Sequence, residues 1–75
     1  MSKEHVIVWW NSASDPESWC VDLLLKNSNG QYEHLLDSGS EDFPIDVDAF
    51  GPFEEDLLIQ SLKNSFPLAQ IILKF

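Results

Sequence analysis

The alternation of apolar and polar residues predicts three strands in the first half of the chain. Residues 5–10 are mostly β-branched and aromatic, which is the composition of a strand. Residues 19–26 alternate between two faces, with Trp19, Val21, Leu23 and Leu25 on one and Cys20, Asp22, Leu24 and Lys26 on the other. Asn29-Gly30 tolerates the positive φ of a tight turn. A third strand over 31–36 is therefore expected to pair with the second as a hairpin.

The second half of the chain predicts one helix and a last strand. Gly51-Pro52 is expected to open the helix, because Pro suits the first helical position and the following acids suit the helix dipole. A stripe at helical spacing is formed by Leu58, Ile59, Leu62 and Phe66. Pro67 ends the helix, and residues 68–75 form a strongly apolar strand. Residues 43–48 alternate apolar residues with acids or Pro, so we expect them extended along a sheet edge, where Pro44 is tolerated.

These elements predict a small α+β domain with the order β-β-β-α-β. We expect a mostly antiparallel sheet with one helix packed on a face, formed by residues 1–75 as a single acidic domain, since chains of this length do not divide. The last strand is expected to return beside the first, with the helix as crossover. Because that strand is apolar on both sides, a central or covered position is predicted.

The charge changes the picture, because it is concentrated in one third of the chain. Four lysines and no arginine face thirteen acids, which gives a formal charge of -9. Nine of these acids lie in a stretch without any lysine, and they are Glu33, Asp37, Glu41, Asp42, Asp46, Asp48, Glu54, Glu55 and Asp56. The rest of the chain is neutral, so this segment carries the whole net charge.

Several classes of function are disfavoured by these residues. Cys20 is the single cysteine, so no internal disulfide is expected, and a reducing, cytoplasmic compartment is predicted. The apolar run at 6–10 is too short for a signal-peptide core or a membrane span, so no membrane partner is expected. Proteins hold phosphates with Lys and Arg, which are scarce here. Direct binding of DNA or RNA is therefore not expected.

No motif for catalysis or for a cofactor stands out. His5, His34 and Cys20 are the strongest nucleophile or base candidates, and the predicted hairpin leaves a contact between Cys20 and His34 open. No enzyme, catalytic residue or cofactor is predicted on that basis, and the ordinary interpretation is a buried small thiol and a separate, half-exposed imidazole.

One segment has a superficial likeness to a calcium loop. Acids stand at its first and third positions, Asp46 and Asp48, with Gly51 at the sixth. Phe50 and Leu57 fall where the fifth and twelfth positions of an EF-hand require oxygen ligands. We therefore assign no metal site, and weak cation binding by clustered acids remains an alternative.

A binding surface is the function that the charge segregation favours. Charge runs are usually solvated surface, yet solubility needs no such asymmetry, and a face of one sign steers a basic partner. The predicted partner-binding residues are Asp37, Glu41, Asp42, Asp46, Asp48, Glu54, Glu55 and Asp56. Three aromatic residues are interspersed with them. Phe43, Phe50 and Phe53 either anchor the segment to the core or form an aromatic hot spot within an acidic rim.

The most specific hypothesis is a non-enzymatic inhibitor that occupies a basic, nucleic-acid-binding site on a partner such as a nuclease or a CRISPR effector. Duplex DNA presents a charge about every 1.7 Å, whereas alternate strand residues are about 6.6 Å apart, so mimicry needs several elements together. In size, acidity and lack of catalytic motifs, the chain resembles small phage-encoded inhibitors of host defence, including anti-CRISPR proteins and other DNA mimics. Immunity proteins that block nuclease toxins share this profile.

A second hypothesis from another class uses apolar surface instead of charge. Trp9 and Trp10 are adjacent, so in a strand they point to opposite faces. One of them is expected in the core, which leaves the other for an exposed position or one under the helix. The alternative function is therefore a hydrophobic interaction module, such as a homodimer formed through an exposed Trp or the last strand.

Overall fold

The computed structural model describes residues 3–74, which form a four-stranded sheet, a short 3₁₀ turn and one α-helix. The elements are β1 (Lys3–Asn11), β2 (Ser18–Lys26), β3 (Tyr32–Asp37), the 3₁₀ turn (Val47–Ala49), α1 (Glu55–Ser65) and β4 (Gln70–Leu73). The predicted α+β class and the order β-β-β-α-β are confirmed. No helix in this part of the chain is long and apolar enough to cross a membrane.

The strands lie in the order β3-β2-β1-β4. β2 is antiparallel to both of its neighbours, whereas β4 runs parallel to β1, with α1 as the crossover. The expected return of the last strand beside the first is therefore confirmed. A central or covered position was predicted for this strand, and the central alternative is wrong, because β1 already has β2 on its other side and β4 forms an edge. Its apolar residues are used on both sides: Ile71 and Leu73 pack on the core, and Ile72 pairs with Ile7.

The β2–β3 hairpin forms as predicted and contains a bulge. The Asn27 side chain accepts hydrogen bonds from the backbone N–H groups of Asn29 and Gln31, and Gly30 has the left-handed φ of 81° that glycine tolerates. The register then shifts between Leu23 and Leu24, so Leu35 is an extra residue on β3. This bulge shifts the alternation of β3 by one position. Residues 34 and 37 therefore point to the same face of the sheet.

The core lies on one face of the sheet, beneath the helix and the 3₁₀ turn. The buried apolar side chains are Val6, Val8, Trp19, Val21, Leu23, Val47, Leu58 and Leu62. The predicted helical stripe points into this core, with Leu58 and Leu62 fully buried and Ile59 and Phe66 packed at its margin. The alternation predicted for β2 and the helical stripe are therefore confirmed, and the structure shows that the face with Trp19, Val21 and Leu23 is the one that enters the core.

Two expectations for the second half of the chain are wrong. The helix begins at Glu55 instead of Pro52, because residues 51–54 close a turn in which Glu54 and Gly51 exchange hydrogen bonds. Residues 43–48 do not extend along a sheet edge. Their apolar side chains cross the face of β2 instead, where Val47 is buried and Phe43 and Ile45 pack against the core. The segment thus gains more apolar burial than an edge position offers.

Candidate functional site

The segment between β3 and α1, residues 38–54, is called the acidic connection, and it is anchored to the core along its length. Phe43 packs against the core and lies 5.9 Å from the ring of Phe66. Near the other end, the Trp19 indole Nε1–H donates a 2.8 Å hydrogen bond to the carbonyl of Gly51. The acidic connection is therefore held at both ends, although it contains only one turn of regular structure.

The acids of this connection point mostly into solvent. Exposed side chains belong to Glu41, Asp42, Asp46, Asp48, Glu54 and, at the helix start, Asp56, whereas Glu55 is half-buried. Asp46 caps the 3₁₀ turn by accepting the N–H of Asp48 at 3.2 Å, and Glu54 accepts the N–H of Gly51 at 2.8 Å. Within residues 3–74 no lysine lies within ion-pair distance of a carboxylate. The negative charge of these acids is therefore available to a partner.

The three phenylalanines of this region divide into two groups. Phe43 and Phe50 are half-buried and pack against the core, so they anchor the connection. Phe53 is 98% exposed and lies between Pro52 and Glu54, in the turn that precedes α1. An apolar ring with almost no intramolecular contact gains burial only when another molecule covers it. Of the aromatic candidates, Phe53 is therefore the one whose ring is free to bind a partner.

Asp37 lies apart from the other predicted site residues and contacts His34 and Asp22. The His34 Nε2 atom lies 3.4 Å from an oxygen of Asp22 and 3.7 Å from an oxygen of Asp37. Asp22 and Asp37 are paired directly across the strands, where like charges are unfavourable unless a positive charge lies between them. The β3 bulge creates this arrangement, because without it His34 and Asp37 would point to opposite faces.

The same three residues are the described group best able to hold a metal ion. One donor atom from each of Asp22, His34 and Asp37 lies within 4.8 Å of the others. Imidazole and carboxylate donors suit several divalent cations. The sequence did not indicate this cluster, because the bulge that assembles it leaves no recognisable pattern in the residues.

The candidates for nucleophilic chemistry are not brought together. Cys20 pairs with Trp9, and His34 pairs with Leu24, four positions farther along β2. Four strand residues span about 13 Å, so the thiol and this imidazole are not in contact. His5 is buried beside Tyr32, with ring centroids 5.4 Å apart, and its Nδ1 has no hydrogen-bond partner among residues 3–74.

The other face of the sheet, called the open face, is covered by neither α1 nor the 3₁₀ turn, since both pack on the core side. By strand alternation and pairing it carries Lys3, His5, Ile7, Trp9, Cys20, Asp22, Leu24, Lys26, Tyr32, His34, Asp37, Gln70, Ile72 and Lys74. A groove of about 900 Å³ is lined in part by Ile7, Trp9, Leu24 and Ile72, and it continues to Pro52 and Glu55 at the start of α1. The lining of the groove therefore combines apolar side chains with the charged side chains of Asp22, Glu55 and Lys74.

The charge is distributed very unevenly between these two sides. The open face carries three lysines, Lys3, Lys26 and Lys74, and two acids, Asp22 and Asp37, so its formal charge is +1. The rest of the molecule holds Lys63 and eleven acids, so its formal charge is -10. The two alternating faces of β2 were visible in the sequence. Since a single helix covers only one side of a sheet, they indicated that the other side would be open.

Comparisons with known protein families, with characterised proteins and with solved structures gave no match to this chain. The surfaces described above are therefore the basis for a functional proposal. Two of them are distinct in chemistry: the acidic connection with the exposed Phe53, and the apolar open face with lysines around it. The Asp22–His34–Asp37 cluster belongs to the second.

Proposed function

We propose that this domain is a non-enzymatic binding protein whose acidic connection and helix start occupy a basic, nucleic-acid-binding site on a partner protein. The observation that carries the proposal is the charge of -10 outside the open face, unbalanced by ion pairs among the described residues. Such a field attracts a basic partner and raises the association rate. A nuclease or a CRISPR effector is a partner of this chemistry, met in the cytoplasm, and nucleic acid itself would be repelled.

The anchoring of the acidic connection supports binding, because a surface ordered in advance loses less entropy when it docks. Val47 is 3% exposed, and Phe50 packs against the same core. The Trp19–Gly51 hydrogen bond fixes the turn before α1. Ordering a free side chain or loop at an interface costs about 0.5–1.5 kcal/mol for each immobilised side chain, and the anchors remove part of that cost.

Phe53 supplies the apolar contact that an acidic surface alone lacks. Interfaces commonly combine a few aromatic anchors with a polar rim, and the anchors carry most of the affinity. Phe53 has this arrangement, because Glu54, Glu55 and Asp56 follow it directly in the chain. We therefore assign Phe53 as the central contact and the acids as the rim that selects a positively charged partner.

The experiment compares two charge-neutralised proteins that carry the same net charge. One carries Asp42→Asn, Asp48→Asn and Asp56→Asn, whose side chains are exposed and make no hydrogen bond among the described residues. The matched control carries Glu4→Gln, Asp15→Asn and Glu33→Gln, which are exposed acids outside the acidic connection and the helix start. Asp46 and Glu54 are left intact because they hold the backbone.

The readout is inhibition of DNA cleavage, across a panel of basic nucleases and CRISPR effectors, with competition by duplex DNA. We expect the first triple variant to lose at least about tenfold in affinity and the control less than about threefold, since each rim charge contributes modestly. Phe53→Ala is expected to lose about tenfold or more. Equal losses in both triple variants would show that only total charge matters, and the assigned surface would be wrong.

A further inference from the structure

We infer that Asp22, His34 and Asp37 form a binding site for Zn²⁺ on the open face of the sheet. One donor atom from each of these side chains lies within 4.8 Å of the other two. A set of one imidazole and two carboxylates suits a borderline cation such as Zn²⁺. The inference is independent of the proposed function, because none of the three residues lies in the acidic connection or at the helix start.

The spacing of the donor atoms fits an ion between them better than hydrogen bonds from one to another. The His34 Nε2 atom lies 3.4 Å from Oδ1 of Asp22 and 3.7 Å from Oδ2 of Asp37. A charge-assisted hydrogen bond between such atoms is about 2.7–2.9 Å long. Ligands about 2.0–2.1 Å from a tetrahedral zinc ion lie about 3.4 Å from one another. The two distances from the imidazole are therefore close to those of a zinc site, and side-chain rotation brings the two carboxylates together.

The backbone beside the cluster is fixed without any ion. Ser38 exchanges two hydrogen bonds with Val21, since its N–H donates to the Val21 carbonyl at 2.9 Å and its Oγ accepts the Val21 N–H at 3.1 Å. These bonds hold together the residues that adjoin Asp37 and Asp22. The Oδ1 atom of Asp37 accepts the N–H of Gly39 at 2.9 Å, which leaves Oδ2 for the ion. Carboxylates that ligate metals in proteins commonly have such a supporting hydrogen bond.

The charge of the cluster also favours a cation. Asp22 and Asp37 are paired directly across the strands, and no lysine among residues 3–74 lies within ion-pair distance of either carboxylate. Like charges in this position destabilise a sheet. A divalent cation between them removes the repulsion, and the net charge of -9 raises the concentration of cations near the protein.

The ligand set predicts both the selectivity and the strength of the site. Ca²⁺ and Mg²⁺ take about six or more oxygen ligands, so they should bind at least about tenfold more weakly than Zn²⁺. Three protein ligands leave the fourth tetrahedral position to water. The His34 side chain is 49% exposed, so the ion remains accessible to solvent. We therefore expect one Zn²⁺ per chain with a dissociation constant on the order of 10 µM, weaker than that of closed structural sites.

The test is calorimetric titration of the full chain with ZnCl₂, repeated with CaCl₂ and MgCl₂. His34→Gln, Asp22→Asn and Asp37→Asn should each weaken Zn²⁺ binding at least about tenfold, since each removes one ligand. Glu33→Gln is the matched control, because it changes the net charge as Asp37→Asn does and is exposed on the same strand, where it pairs with Leu25 on the other face. It should bind Zn²⁺ within about threefold of wild type.

A measurement on the unaltered protein does not depend on how the variants fold. The chain has two histidines, His5 and His34, so NMR of the imidazole ¹⁵N nuclei shows which of them binds the ion. Zn²⁺ should shift the Nε2 resonance of His34 and leave those of the buried His5 unchanged. Zn²⁺ at about 1 mM should also raise Tm by about 10 °C, and EDTA should reverse the rise, because an ion that binds the folded state stabilises it.

Three outcomes would overturn the inference. The first is wild-type protein that takes up no Zn²⁺ at about 1 mM. The second is a His34→Gln protein, folded as wild type by circular dichroism, that binds Zn²⁺ within about threefold of wild type. The third is a shift of the His5 resonances in place of those of His34. The triple variant that tests the proposed function keeps all three ligands and should bind Zn²⁺ as wild type does, so the two proposals fail separately.

Discussion

Leu23 and Leu24 are neighbours of the same residue type on one strand, and they belong to two different environments. Leu23 points to the core, where it is 8% exposed, whereas Leu24 points to the open face and lines the groove. The core face is covered by a helix and by the acidic connection, which carries five of the thirteen acids and no lysine. The open face has a formal charge of +1, and neither α1 nor the 3₁₀ turn of the described chain covers it. One sheet thus separates the residues that stabilise the fold from those that remain available for contacts.

The comparison suggests that stability and binding can be changed independently. Residues on the core side of the sheet determine whether the acidic connection is held in place. Residues on the open face contribute less to the fold, because all of them except His5 are half-buried or exposed.

The largest expected effect comes from Leu23→Ala compared with Leu24→Ala. Leu23→Ala should lower the free energy of unfolding by about 3 kcal/mol, since it leaves a cavity in a small core. Leu24→Ala should cost about 1 kcal/mol in dilute solution, because less apolar area is lost there. Urea unfolding at low protein concentration measures both. Equal costs would mean that the open face is covered in solution.

Phe50 and Phe53 give the corresponding comparison within the acidic connection. Phe50→Ala should lower the free energy of unfolding by about 2 kcal/mol, because the ring is half-buried against the core. Phe53→Ala should change the free energy of unfolding by less than about 0.5 kcal/mol, since a ring that is 98% exposed makes few contacts within the protein. Thermal and urea unfolding test this directly. A stability loss in Phe53→Ala similar to that of Phe50→Ala would contradict the exposed position.

Trp19→Phe tests the link between the core and the start of α1. The substitution keeps an aromatic ring on the core face but removes the indole donor to the Gly51 carbonyl. We expect a loss of about 1 kcal/mol, which is typical of one hydrogen bond. Amide hydrogen exchange should rise in residues 51–54 and remain low in β1. Uniformly raised exchange would show that the ring packing, and not the hydrogen bond, matters.

The smallest expected effect separates the charge of Asp46 from its capping role. Asp46→Asn keeps an acceptor for the N–H of Asp48, so stability should be unchanged. Asp46→Ala removes the cap and should cost about 0.5–1 kcal/mol. Urea unfolding of the two variants provides the measurement. If both variants bind a basic partner as wild type does, Asp46 contributes only structure.

Much of the fold could be predicted because local patterns and tertiary packing agree in it. The alternation of β2, the Asn-Gly turn and the stripe from Leu58 to Phe66 each indicated an element that the structure contains. The predictions were wrong where contacts between residues distant in sequence determined the local structure. Residues 43–48 alternate as a strand would, yet Val47 and Phe43 are drawn across the sheet by the core. The helix starts late because Gly51 is held by Trp19 and Glu54.

The candidate site was predicted in part. Glu41, Asp42 and Asp48 are exposed in the acidic connection, as a binding surface requires, and their role in binding stays a prediction. Asp37 was grouped with them by sequence but contacts His34 and Asp22 at the sheet. Proximity in sequence was a poor guide here, because Asp37 ends a strand and the next residue begins the connection.

The sequence by itself determined the order and type of the strands and the helix, the two alternating faces of β2, and the amount and position of the charge along the chain. These follow from periodicity and from residue type, which are local properties. Only the tertiary structure decided that the open face carries three of the four lysines and only two of the thirteen acids. It also decided that a bulge at Leu35 places His34 beside two aspartates. Both outcomes depend on strand pairing, which is set by contacts between distant residues.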